Sequence, residues 1–180
     1  PLQFLLIQAR VRVQSFQTPH EANNYFSKVL QQKPTGMAAS AARYGQALSL
    51  LDMGTPAEAI PVLQSLQTEH PQSLQIESTL AQSLYQAGDH AGGYTLMQGA
   101  LKRHPNHLAL LLQYNQWLLN DNKAKQVIQN IRQFHLNVGT HPESLQLLSQ
   151  AYAKQSDYPH MHFTQADYLI AVGDYHGALM

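Results

Sequence analysis

The 180-residue sequence contains no cysteine, and only 12% of its residues are charged. The absence of cysteine excludes disulfide bonds, thiolate zinc sites and cysteine nucleophiles. The 11 Lys and Arg residues balance the 11 Asp and Glu residues, and no basic patch indicates nucleic-acid binding. The longest apolar runs, such as residues 4–7 and 108–112, are far shorter than the roughly 20 residues of a membrane-spanning helix. The sequence therefore predicts neither a nucleic-acid partner nor a membrane span.

Residues in the middle of the chain recur at a fixed interval. Four pairs of identical residues are separated by 34 positions, namely Gly54 and Gly88, Pro71 and Pro105, Ala47 and Ala81, and Leu50 and Leu84. A period shared by four pairs is hard to obtain by chance. It is the period of the tetratricopeptide repeat (TPR), in which one unit consists of a helix, a tight turn and a second helix.

The residue types at these positions suit a helical hairpin. Ala47 and Ala81 are predicted in the middle of first helices, where the second helix crosses closely and only a small side chain fits. Ala59 and Gly93 are the facing small positions on the second helices. The sequence therefore predicts close helix crossings in both units.

The turn between the two helices has its own pattern. Gly54 and Gly88 are predicted to end first helices, where a left-handed residue is needed. Thr55 and Asp89 follow as predicted N-caps of the second helices, and Pro56 suits a first helical turn.

Prolines are predicted to end the second helices. Pro71 and Pro105 cannot continue the helical hydrogen-bond ladder. Pro34 precedes Pro71 by 37 residues, and Pro142 follows Pro105 by the same interval. We therefore expect three extra residues in each of these intervals, the first lengthening the loop near residues 35–37.

The pattern continues downstream with substitutions. Asn122 replaces the turn glycine, and Val127 replaces the small residue of the second helix. Residues 156–158 are predicted to form the next turn, and residues 173–178 a turn into a further helix. The apolar end at residues 170–180 favours self-association of the isolated chain.

The predicted fold class is all-α, a TPR-type α-α superhelix of about five helical hairpins, the last truncated. One TPR domain is expected over residues 1–180. Its predicted hairpins are residues 2–34, 38–71, 73–105, 107–135 and 143–171, followed by a partial helix at 175–180.

The first helices are expected to carry the binding surface, because TPR ligands are usually contacted by first-helix side chains on the concave face. The same register gives ten candidate partner-binding residues, namely Tyr44, Leu48, Leu51, Ser78, Gln82, Tyr85, Gln86, Leu112, Gln116 and Asn120. Tyrosine, glutamine and asparagine can contact an extended peptide backbone without demanding a charge. The basic residues that clasp a C-terminal carboxylate are absent, so we expect a different ligand class. Alternatively, some of these residues are buried against a neighbouring domain.

The ten histidines do not form a recognisable metal site. His20 begins the segment HEANN, which lacks the second histidine of the zinc-protease motif HExxH. His160 and His162 are two residues apart and therefore lie on different sides of a helix. Three further histidines precede prolines and are predicted to cap helix ends, namely His70, His104 and His141.

Other catalytic signatures are also missing. There is no G-x-S-x-G elbow for a serine hydrolase, and Gly92–Gly93 lacks the lysine and serine of a phosphate loop. The sequence therefore predicts no catalytic residue, no metal ligand and no cofactor in this fragment. An enzyme that uses the histidines is the third and least favoured hypothesis.

Five segments together resemble the C-terminal TPR region of the BepA-like periplasmic zinc metalloproteases of Gram-negative bacteria. These segments are residues 42–48, 57–59, 147–153, 162–168 and 173–178. The predicted helix over residues 4–13 is similar to the segment that follows the protease domain in that family. The resemblance covers essentially the whole chain.

The resemblance implies a periplasmic location and a parent chain whose upstream domain is a zinc metalloendopeptidase. It implies as partners the parent's own protease domain and outer-membrane proteins or their assembly complex, with a role in outer-membrane protein quality control. Zinc is expected in the upstream domain, since none of the family's ligands falls within these residues. The alternative function is a stand-alone TPR adaptor in pilus, secretion or envelope assembly.

Overall fold

The computed structural model describes residues 1–179, and all regular secondary structure in that range is helical. Its α-helices are, in chain order, α1 (Leu2–Gln14), α2 (Pro19–Gln31), α3 (Gly36–Asp52), α4 (Pro56–Glu69), α5 (Leu74–Gln86), α6 (His90–Arg103), α7 (Leu108–Asn120), α8 (Ala124–Asn137), α9 (Pro142–Lys154) and α10 (Tyr158–Ala171). A 3₁₀ turn at Gly177–Leu179 follows, and Met180, the end of the predicted partial helix, lies outside the described residues. The all-α fold class is confirmed.

The ends of the helices repeat at the interval found in the sequence. From α3 onward the first helices end at 34-residue steps, at Asp52, Gln86, Asn120 and Lys154. The second helices keep the same step and end at Glu69, Arg103, Asn137 and Ala171. The period therefore fixes where the helices end even where the residue pattern weakens.

From the hairpin of α3 and α4 onward, the residue that closes the turn between the two helices has a left-handed backbone. Gly54 and Gly88 have φ angles of 76° and 93°. Asn122 and Ser156 occupy the equivalent positions with φ angles of 59° and 56°. The prediction that Asn122 replaces the turn glycine is confirmed, and asparagine tolerates this conformation better than most residues.

The predicted N-caps differ from each other. The Asp89 carboxylate accepts a hydrogen bond from the Gly92 N–H at 2.9 Å, which confirms its capping role. Thr55 is at the N-cap position of α4, but its hydroxyl donates to the Leu50 carbonyl at 3.1 Å instead. Its side chain therefore satisfies the end of α3, and Pro56 begins α4 as predicted.

The extra residues before Pro71 lengthen a helix, so the prediction of a longer loop is wrong. Helix α3 has 17 residues, whereas α5, α7 and α9 have 13 each. It begins at Gly36, and residues 36–39 add about one helical turn. Ala38 and Ala39 favour this extension because alanine has the highest helix propensity.

Pro142 does not mark an insertion either. It is the first residue of α9, where its missing N–H has no helical partner to lose. Helix α9 starts 34 residues after α7, so the repeat keeps its length here. His141 consequently precedes a helix as its N-cap residue, and the prediction that it caps a preceding helix end is wrong.

The chain divides into two compact units, residues 1–100 and the residues that follow. In the first unit, α1 and α2 pack on α3, and α4 packs on α3 and α5. Ala47 and Ala59 are completely buried at the crossing of α3 and α4. At the next crossing, a Cβ atom on Gly93 would lie 2.9 Å from the Ala81 carbonyl oxygen. The predicted close crossings of small residues are confirmed.

The second unit uses polar residues at the equivalent first-helix positions. Asn115 is completely buried, and its side-chain amide donates to the Leu111 carbonyl at 2.8 Å. The Asn130 amide in turn donates to the Asn115 side-chain oxygen at 2.9 Å, which joins α7 to α8. Ser149 on α9 donates to the Met161 carbonyl on α10 at 3.3 Å. These hydrogen bonds connect the helices that small residues connect in the first unit.

Candidate functional site

Three of the predicted binding residues lie in the core of the first unit. Tyr44, Leu48 and Leu51 are buried, and Tyr44 is completely inaccessible. The Arg10 guanidinium of α1 donates to the Tyr44 hydroxyl at 2.7 Å, and Thr79 of α5 lies 3.0 Å from the same oxygen. Tyr44 therefore joins three first helices and is not available to a partner in this structure.

The predicted residues on α5 are only partly accessible. Tyr85 is half-buried, and its ring stacks on His90 at 4.2 Å and packs edge-on against Tyr94 at 5.9 Å. Ser78 is half-buried, and its hydroxyl donates to the Gln75 carbonyl at 3.2 Å. Tyr85 therefore packs within its own hairpin. The two predicted glutamines are more accessible, with Gln82 half-buried and Gln86 exposed.

The predicted residues on α7 lie beside an open groove in the second unit. Leu112 and Gln116 line this groove, which has a volume of about 290 Å³. Asn120 is exposed at the end of α7, and its side-chain oxygen accepts a hydrogen bond from the Gln116 amide at 3.1 Å. We call this groove the amide groove, and its lining residues are Leu112, Gln113, Gln116, Glu143, Gln146, Leu147 and Gln150.

Helical spacing explains how α7 and α9 build the amide groove. On α9 the lining residues are spaced by three and four positions, which places them on one face of the helix. Leu147 is buried in the groove, whereas Gln146 and Gln150 are exposed beside it. Gln116 faces them from α7 and is also exposed. The result is an apolar floor with primary amides along it.

The sequence prediction does not include the α9 half of this groove, although the 34-residue period identifies it. Gln146 lies 34 residues after Leu112, and Gln150 lies 34 residues after Gln116. The predicted binding residues end at α7, and the equivalent positions lie on α9. Glu143 is the only acidic or basic residue in the lining, and it belongs to the first turn of α9.

The amide groove offers hydrogen bonds mainly from uncharged side chains. Each glutamine offers two N–H donors and a carbonyl acceptor. An extended peptide backbone presents the complementary donors and acceptors along its length. Glu143 is exposed and adds one acceptor that would favour a cationic group near one end.

No cluster of three or more potential metal ligands occurs among residues 1–179. His160, one of the histidines considered above, lies 2.9 Å from the Asp157 carboxylate and stacks on Tyr152 at 5.1 Å. The Asp157 carboxylate also caps α10 by accepting from the His160 N–H at 3.4 Å. Over the same residues, no helix is both long enough and apolar enough to cross a membrane.

Comparison with known proteins supports the repeat. A family model described as Tetratricopeptide repeat matches residues 50–113. A search of curated protein sequences gives no match. The chain therefore carries a recognisable TPR sequence in its central part.

Solved structures match the fold over most of the chain. A TPR protein from Thermus thermophilus has a TM-score of 0.69 at 17% identity, covering 99% of both chains. Nearly identical TPR-like repeats from Podosopora anserina give a TM-score of 0.72 at 18% identity, covering 94% of this chain and 93% of that one. A tetratricopeptide repeat protein from Parabacteroides merdae gives 0.67 at 12% identity, covering 99% and 76%. The fold is that of TPR proteins, whose stacked repeats create extended binding surfaces.

Proposed function

We propose that the chain is a non-catalytic protein-binding module whose amide groove holds an extended segment of a partner protein. The observation that carries this proposal is the groove itself, where three exposed glutamines of α7 and α9 surround buried leucine. These amides match the donors and acceptors of a peptide backbone, and the leucines provide apolar contact for alternate side chains.

We further propose that this module belongs to a periplasmic zinc-dependent metalloprotease and docks outer-membrane proteins or their assembly machinery. The resemblance of residues 42–48, 147–153 and 162–178 to the BepA-like family supports this role. Zinc and catalysis then reside in an upstream domain, and the segment held in the groove is a client or an assembly component.

Binding through the amide groove is tested with a pair of matched glutamine variants. The probe is an array of overlapping peptides, each about 12 residues long, from an outer-membrane β-barrel protein, followed by titration of the peptides that bind. Removing two groove amides with Gln116→Ala and Gln150→Ala together should weaken binding by about tenfold or more, since each lost hydrogen bond leaves backbone groups unpaired.

Gln133→Ala is the control. Gln133 donates to Asn137 at 3.2 Å on α8, just as Gln116 donates to Asn120 at 3.1 Å on α7, but it lies outside the groove. The control should bind like the unaltered chain. Equal affinity of both variants, with unchanged helicity, would show that the amide groove is not the binding site.

The protease role is tested on the native parent by its intact mass and its bound zinc. A longer chain with about one tightly held zinc supports the metalloprotease role. A parent without zinc or a protease domain contradicts it and favours the stand-alone adaptor in pilus, secretion or envelope assembly.

A further inference from the structure

A second groove lies at the opposite end of the sequence, where α1, α2 and the start of α3 meet. It has a volume of about 600 Å³, and we call it the N-terminal groove. Its lining is mainly apolar and includes Leu5, Ile7, Val11, Phe26, Val29 and Ala38. Ile7 and Val11 remain 47% and 59% exposed, so this surface is not covered within the first unit.

The extra turn of α3, which departs from the 34-residue period, contributes to one side of this groove. The extra turn of α3 at residues 36–39 has no counterpart in α5, α7 or α9. Ala38 of this turn lines the groove, and the neighbouring Met37 is 51% exposed. The added residues therefore extend an apolar surface instead of a polar loop.

The N-terminal groove has one basic residue in its lining, Arg12, and it belongs to a segment with an excess of basic residues. Residues 1–35 contain four basic residues, Arg10, Arg12, Lys28 and Lys33, against the single acidic Glu21. Arg12 lines the groove, with its guanidinium 5.6 Å from the centre of the Tyr25 ring. Since the whole chain has zero formal net charge, the compensating acidic residues lie elsewhere.

The residues after Lys154, which include α10, have an excess of acidic side chains. No lysine or arginine follows Lys154, whereas three aspartates do. Asp157 and Asp174 cap local turns, because their carboxylates accept the N–H groups of His160 and Gly177. Asp167 is exposed to solvent on α10.

Exposed apolar residues flank Asp167 on the same face of α10. Phe163 is 72% exposed and Ile170 is 50% exposed. Positions 163, 167 and 170 have the i, i+4, i+7 spacing that aligns side chains along one face of a helix. Helix α10 thus presents an apolar ridge with an acidic group in its middle.

We propose that the N-terminal groove binds α10 of a second copy of this chain. The ridge of Phe163 and Ile170 enters the apolar groove, and Asp167 meets Arg12 at its edge. The two surfaces in contact are different, so the interface is heterologous and each pair of copies keeps one free groove and one free α10. Such contacts propagate into open or ring-shaped oligomers.

Sedimentation velocity tests whether the two surfaces mediate association. The unaltered chain should sediment faster as its concentration rises from about 10 µM to about 1 mM, the range in which weak interfaces are populated. Val11→Glu in the groove and Phe163→Glu on α10 should each abolish this rise. Leu136→Glu is the control, because Leu136 is 82% exposed on α8 and belongs to neither surface.

Mixing the two variants tests the heterologous geometry. Val11→Glu keeps an intact α10, and Phe163→Glu keeps an intact groove, so the mixture should form a one-to-one dimer that grows no further. A chain that stays monomeric at all concentrations overturns the proposal. Association that persists in either variant alone, or a mixture that stays monomeric, also overturns it.

A charge exchange tests the contact between Arg12 and Asp167. Arg12→Glu and Asp167→Arg should each weaken association by about tenfold, because each places like charges opposite each other. Combining Arg12→Glu and Asp167→Arg in one chain should restore association, because every groove-to-α10 contact then pairs the two exchanged charges. Failure of this double variant to associate more strongly than either single variant contradicts the assigned contact.

Discussion

The helix crossings of the two compact units use different side chains at equivalent positions. The first-helix residues at the crossing, in 34-residue steps, are Ala47, Ala81, Asn115 and Ser149. The facing second-helix residues are Ala59, Gly93, Val127 and Met161. The first unit therefore pairs small residues, whereas the second combines polar residues with larger apolar ones.

The interactions that hold the two helices of a hairpin together differ accordingly between the units. Contact at Gly93 is so close that a methyl group would approach the Ala81 carbonyl oxygen to 2.9 Å. At Asn115 the helices are joined by a buried amide that bonds both its own helix and Asn130. The repeat thus keeps the helix ends and the turn positions, while each crossing can be stabilised by packing or by hydrogen bonds.

The largest expected effect on stability comes from placing the valine found at Val127 of the second unit at the equivalent Gly93 of the first unit. Gly93→Val adds a branched side chain where even a Cβ atom contacts backbone, so we expect a loss of about 3 kcal/mol in the free energy of unfolding. Urea denaturation followed by circular dichroism measures this loss. Thr95→Val, at an exposed site on the same helix, should change stability by less than about 0.5 kcal/mol. Equal stability of the two variants would refute the close-contact explanation.

The buried amide of the second unit should be the next most sensitive site. Asn115→Ala leaves a cavity and deprives the Asn130 amide of its acceptor, so a loss of about 2 kcal/mol is expected. Asn120→Ala removes an exposed amide from the same helix and should cost less than about 0.5 kcal/mol. The same urea titration compares them, and similar losses would show that burial of Asn115 contributes little.

The helix ends and turns show how far the sequence determines the fold. The 34-residue period predicted the all-α class and the turn at Asn122 because both depend on local backbone chemistry. It did not predict the extra turn of α3, since an insertion containing Ala38 and Ala39 can extend either a loop or a helix. The prediction that Pro142 marks an insertion is wrong for a similar reason, because proline suits both the end and the first turn of a helix.

The binding surface was harder to predict than the fold. Tyr44 has the register of a binding residue, but Arg10 of α1 and Thr79 of α5 enclose it through contacts distant in sequence. Gln146 and Gln150 follow directly from the period, once it is extended to α9. The register therefore identifies which positions share a helix face, whereas only the packed structure shows which of them stay accessible.

The second unit should respond to mild acid through His135. Burial and the nearby His141 lower the pKa of His135, and its Nε2 lies 2.7 Å from the buried Ser144 hydroxyl. The folded state therefore favours the neutral ring. This stabilisation is complete above the unfolded pKa of about 6.5 and is lost as the pH falls through the lower folded value.

The measurement is the free energy of unfolding at about pH 7.5 and about pH 5.5. His135→Gln retains a hydrogen-bonding group near Ser144 but cannot titrate. The decrease in stability on acidification should be smaller in this variant than in the unaltered chain, and smaller than the loss caused by Asn115→Ala. An identical decrease in both proteins would mean that His135 is not the titrating group.

The smallest effect is expected from an ion pair that the first unit has and the second lacks. Arg43 donates to both Glu69 oxygens, at 2.8 and 2.5 Å, whereas the equivalent second-unit positions hold Leu111 and Asn137. This hydrogen bonding lowers the pKa of Glu69 to about 2. The pair is solvent-accessible, so Glu69→Gln should cost less than about 1 kcal/mol at neutral pH.

The sign of the pH dependence distinguishes this pair from His135. Because the folded pKa of Glu69 is depressed, its contribution is present above the unfolded value of 4.5 and is lost as the pH falls toward about 2. Between about pH 7 and about pH 3, the unaltered chain should therefore lose more stability than Glu69→Gln. Glu58→Gln, at an exposed site on the same helix, should retain the full pH dependence. If Glu58→Gln reduces it as much as Glu69→Gln does, the ion pair is not its source and the difference between the units lies in their crossings alone.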